Sequence, residues 1–102
     1  MKVYISGKIT GTTDYLERFA QAETRLRVQG FEVVNPAKEL DKLPKDSTTW
    51  RQYMGEAFKL LMECDAIYML DGWQESKGAR LELFVADRTG MTFIYDTLVE
   101  VP

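Results

Sequence analysis

Ala66-Ile67-Tyr68-Met69-Leu70, closed by Asp71-Gly72, decides the fold of this chain. Five consecutive apolar residues ending on a turn signal read as a strand buried on both faces, as in parallel sheets. Just ahead of it, Trp50, Tyr53, Met54, Ala57, Leu60, Leu61 and Cys64 recur at three- and four-residue spacing, the strongest helical pattern in the chain. Ser47 or Thr48 is in place to cap that helix. Residues 37–48 are a polar connection with no sustained period. Further upstream, Phe31-Glu32-Val33-Val34-Asn35 reads as a strand closed by Pro36. A helix is expected to begin near Asp14, where Asp14-Tyr15-Leu16-Glu17 has capping-box form. Leu16, Phe19, Ala20 and Leu26 form its apolar stripe, and Gly30 is its C-terminal stop. The chain opens on a short strand over residues 2–6, followed by a turn-rich loop over 7–13. Downstream of the deciding strand come a loop over 71–78, a helix over 79–88 ending at Gly90, and a fourth strand over 91–95. The tail beyond is too short for another helix.

Three strand–helix units in series imply right-handed crossovers and a parallel sheet. The expected architecture is α/β: a three-layer, doubly wound, flavodoxin- or Rossmann-like sheet of about four parallel strands in the order 2-1-3-4. A single domain spans residues 1–102, with no internal repeat. Ligands of such sheets bind beyond the C-terminal strand ends at the switch point, here between the first and third strands. The loops meeting there, 7–13 and 71–78, are also the richest in glycine and hydroxyl residues.

Composition narrows the chemistry. Of 102 residues, 45% are hydrophobic and 28% charged, which suits a folded domain. No apolar run approaches the roughly 20 residues of a membrane helix, and the opening residues are too short and alternating for a signal peptide. No membrane partner and a cytoplasmic location are therefore expected. The lone Cys64 fits a reducing compartment. Without histidine, and with one cysteine, zinc and histidine-dependent catalysis are excluded. A net charge of -3 argues against a nucleic-acid polymer as partner. Any chemistry must use carboxylates, hydroxyls, lysine or arginine.

Tyr4-Ile5-Ser6-Gly7-Lys8-Ile9-Thr10-Gly11, then Cys64-Asp65-Ala66-Ile67, then Ser76-Lys77-Gly78-Ala79-Arg80-Leu81-Glu82 resembles the nucleoside 2-deoxyribosyltransferase superfamily. The likeness runs in order along nearly the whole chain and is nearest to short members and to the nucleoside 5′-monophosphate N-glycosidases. It implies that Glu82 is the nucleophile attacking C1′ of the sugar and that Tyr4 hydrogen-bonds it. It implies a ligand-binding role for Ser6, Gly7, Lys8, Ile9, Thr10 and Gly11. Ser76 stands where the transferases place an aspartate and the monophosphate hydrolases a serine that takes the 5′-phosphate. Ser76 and Gly78 open a helix whose free N–H groups suit that anion. The enzymes carry a second carboxylate at the position of Ala57; the neighbouring Glu56 points about 100° away on an ideal helix. Asp71 is then the candidate for protonating the leaving base. The resemblance implies no metal or organic cofactor, a small-molecule nucleotide or nucleoside as partner, and, with the short C-terminus, a homodimer or larger homo-oligomer.

Each residue also has a plainer reading. Glu82 is otherwise a solvated helix glutamate, Ser76 only an N-cap, Tyr4 a core aromatic and Lys8 an exposed loop lysine. Asp71-Gly72 is a turn, and Trp73 either stacks on a base or closes the core edge. Trp50, Tyr53 and Met54 read as core. The expected function is hydrolysis of the base–sugar bond of a (deoxy)nucleoside 5′-monophosphate. The alternatives are a nucleotide-binding module without turnover, a base-exchanging transferase and a structural factor with no ligand.

Overall fold

The computed structural model describes residues 1–96; the tail expected after the fourth strand lies outside them. The elements are β1 (Lys2–Ser6), α1 (Tyr15–Val28), β2 (Glu32–Val34), α2 (Pro36–Glu39), α3 (Trp50–Leu61), β3 (Ala66–Met69), α4 (Lys77–Arg88) and β4 (Thr92–Tyr95), with a short 3-10 turn at Trp73–Glu75. The four strands form one sheet in the order β2-β1-β3-β4, and every pairing is parallel. The expected α/β architecture and strand order are what the chain adopts. In register, Tyr4 faces Val34 on one side and Ile67 on the other.

Strand alternation divides the core in two. Val3, Ile5, Ala66, Tyr68 and Leu70 face α1, where Phe19, Ala22 and Leu26 meet them. On the opposite face Tyr4, Ile67 and Met69 pack on Leu61 of α3 and on Ala79 and Ala86 of α4. All four residues of β3 are buried, as its unbroken apolar sequence requires.

The helices correct several expectations. In α1 the buried stripe is Phe19, Ala22 and Leu26, with Tyr15 packed beside it, whereas Leu16 is 46% exposed and Ala20 faces solvent. The observed spacing of four, three and four keeps one face, and Ala20 is too small for its burial to be read from type alone. Asp14 ends the preceding loop at φ -111°, ψ 15°, and its side chain caps nothing, because that backbone is not the extended conformation a capping side chain needs. For α3 the cap is Thr49, not Ser47 or Thr48, in a reciprocal capping box with Gln52. The connection over 37–48 is not wholly irregular. Asn35 accepts from the Lys38 N–H and Pro36 fills the first helical position, so α2 forms. Gly30 and Gly90 close α1 and α4 at φ 94° and 77°, a conformation glycine adopts freely.

No helix among the described residues is long and apolar enough to cross a membrane.

Candidate functional site

Period-two alternation puts the side chains of Tyr4 and Ser6 on the same face of β1, the face covered by α4. Glu82 lies in the second turn of that helix, pointing at the sheet. The Tyr4 hydroxyl donates to Glu82 Oε2 at 2.5 Å and the Ser6 hydroxyl to Oε1 at 2.6 Å. Each carboxyl oxygen therefore has a donor, and the residue is only 7% exposed. Burial pushes the Glu82 carboxyl up to about 7, although the Ser6 and Tyr4 hydrogen bonds pull the other way. The same burial, and the adjoining Glu82 charge, hold the Tyr4 phenol well above its usual range.

This carboxyl sits in the wall of a cleft of about 670 Å³ beyond the C-terminal ends of β1 and β2, against the start of α4. The volume falls within the few hundred to 1,000 Å³ of small-molecule sites. One end is polar. Gly7, Lys8, Ile9 and Thr10 line it from the loop after β1, and Ser76 and Gly78 from the start of α4. Lys8 Nζ reaches Glu75 Oε1 at 3.3 Å, tying together the two loops that meet at the switch point. The Ser76 hydroxyl accepts from the Ala79 N–H, and the first backbone bond of α4 runs from Arg80 to Ser76. The Lys77 and Gly78 N–H groups therefore stand outside the helical ladder at the positive end of its dipole.

The other end is built by the stretch between β2 and α3 and by the first turn of α3. Leu40, Leu43, Pro44, Trp50 and Tyr53 supply apolar and aromatic surface, and Tyr15 adds a further ring. Lys77 lies 4.7 Å from the centre of the Trp50 ring, bridging the first turns of α4 and α3 over the rim. Tyr53 is part-buried in the wall, and its phenol is pushed up, first by burial and then by the charge of Glu82. Gly78 and Met54 hold the two helices close: a Cβ added at Gly78 would stand 3.3 Å from Met54 Sδ.

The sequence-predicted residues divide accordingly. Tyr4, Gly7, Lys8, Ile9, Thr10, Ser76, Gly78 and Glu82 all line the cleft. Ser6 is not in its lining; its hydroxyl is spent on Glu82. Gly11 is exposed and away from the lining. Asp71 is exposed outside the cleft lining, its backbone carbonyl accepting from Arg18, so the expected leaving-group acid does not line the cleft that holds Glu82. The reason is the 3-10 turn that follows, which carries the chain back to α4 and leaves residue 71 on the α1 side. Glu56 bonds Lys59 at 3.0 Å on the outer face of α3, and Ala57 is fully buried. Trp73 closes the core edge, its ring 6.2 Å from that of Tyr95. Trp50, expected in the core, is 46% exposed. It and Tyr53 are cleft residues that the helical spacing alone could not separate from core. The cap at Thr49-Trp50-Arg51-Gln52 was the available signal, because it places both rings in the exposed first turn.

No curated protein and no solved structure matches the chain. A family does: residues 1–95 match a domain of unknown function, DUF4406, and the chain belongs to that family.

Proposed function

We propose that this protein hydrolyses the N-glycosidic bond of a (deoxy)nucleoside 5′-monophosphate. The observation that carries the reading is the Glu82 carboxyl, buried in the wall of the cleft and held by two hydroxyls. A buried carboxylate beside an anomeric carbon captures the oxocarbenium-like centre formed as a base leaves. An Oε atom of Glu82 bonds to C1′, the C1′–N bond breaks, and its electron pair departs with the base. Water then attacks C1′, releasing sugar 5-phosphate and the carboxylate. Tyr4 and Ser6 orient the nucleophile. Ser76, Lys8 and the free N–H groups of α4 face the phosphate, and the aromatic end takes the base.

A second reading, nucleotide binding without turnover, rests on Ala57, which leaves no carboxylate on that face of α3. Base release from a panel of ribo- and deoxyribonucleoside 5′-monophosphates, followed by chromatography, separates the two. Release by the wild type and its loss in Glu82→Gln are expected. Release that survives Glu82→Gln would overturn the mechanism. Binding without release from any substrate would install the second reading, and transfer to an added free base would make the protein a transferase.

A further inference from the structure

A leaving base needs a proton, and the carboxylates expected to manage it are elsewhere. Position 57 is alanine, Glu56 is turned to Lys59, and Asp71 is outside the cleft. The other carboxylates lining the cleft among the described residues are Asp41 and Glu75, and each is paired with a lysine, Lys45 and Lys8. The hydroxyl oxygens of Ser76 and Thr49 accept from helix N–H groups, and Ser76 is assigned to the phosphate. Tyr53 differs from all of these. It lies one turn before Ala57 on the same face of α3, and its longer side chain reaches the cleft wall that Ala57 cannot. Among the described residues its hydroxyl takes part in no hydrogen bond, and of the charges acting on it that of Glu82 weighs most.

On the reading that the site cleaves nucleotides, we infer that Tyr53 is a catalytic residue whose hydroxyl protonates the leaving base and then activates the water. In the first step Glu82 bonds to C1′, the C1′–N pair goes to the base, and the Tyr53 proton passes to a base nitrogen. Burial opposes ionisation of the phenol first and the Glu82 charge second, and esterification removes the second of these as the proton leaves. In the second step water bonds to C1′, gives its proton to the Tyr53 oxygen, and the Glu82 carboxylate leaves. The net change is nucleotide plus water to base plus sugar phosphate. One group acts as acid and then as base, as in retaining glycosidases.

The test is Tyr53→Phe, assayed on guanosine 5′-monophosphate and on its N7-methyl derivative, whose base departs neutral and needs no proton. Melting temperature confirms folding. We expect Tyr53→Phe to slow release of guanine by about 100-fold or more, and of 7-methylguanine by less than about 5-fold. Equal losses on both substrates, or no loss on either, would overturn the inference while leaving the glycosidase reading intact. Release of no base by the wild type from any nucleotide of the panel would overturn both.

Discussion

At neutral pH the Glu82 carboxyl stands near half-ionisation, because its burial outweighs the two hydroxyls that favour its charge. In the unfolded chain the same group titrates near 4.5. Between these values the folded protein holds a proton that the unfolded chain has lost. The stability it contributes is therefore complete below the lower value and is lost as pH rises through about 7. The loss is on the order of 3 kcal/mol at most. Denaturant unfolding of wild type and Glu82→Gln between about pH 5 and 8 should show the wild type weakening relative to the variant, which becomes the more stable at the alkaline end. Parallel profiles would place the proton elsewhere. A nucleophile must be ionised, so kcat/KM should climb through the same interval in which the fold weakens. The residue to which the proposed function gives the chemistry is the one that strains the fold.

At the scale of elements, close approach and capping make separate demands. Gly7 ends β1 against β3, and a Cβ there would meet Leu70 Cδ1 at 2.9 Å and Leu70 Cβ at 3.0 Å. Gly7→Ala should therefore displace the strand end carrying the loop over 7–13 and lower stability by about 1–3 kcal/mol, read from the urea midpoint. Thr49→Ala, by contrast, removes a cap remote from the sheet and should cost about 1 kcal/mol. The sheet was legible because β3 is apolar throughout and the strand–helix alternation admits few topologies. Tyr4 and Glu82 were legible as partners only through the resemblance, since nothing local to either residue points across the 78 positions between them. Asn35-Pro36 and Thr49-Trp50-Arg51-Gln52 held their helix starts in plain view, as a cap before proline and a capping box. The phase of α1 was harder, because Leu16 and Ala20 carry apolar side chains on a face that nothing covers.

For the whole molecule, the order β2-β1-β3-β4 sets the first strand at the centre, between partners that arrive much later in the chain. The hydrogen bond from Tyr4 to Glu82 closes across nearly the full described length. Loop-closure entropy delays such contacts until the nearer pairings exist. The Glu82 carboxyl should thus be among the last groups secured during folding. Tyr4→Phe is expected to accelerate unfolding while leaving the refolding limb of a stopped-flow chevron nearly unchanged; a slowed refolding limb would put the site in the nucleus instead. The lifetime of the assembled site, rather than the speed of its assembly, is then what those two hydroxyls govern.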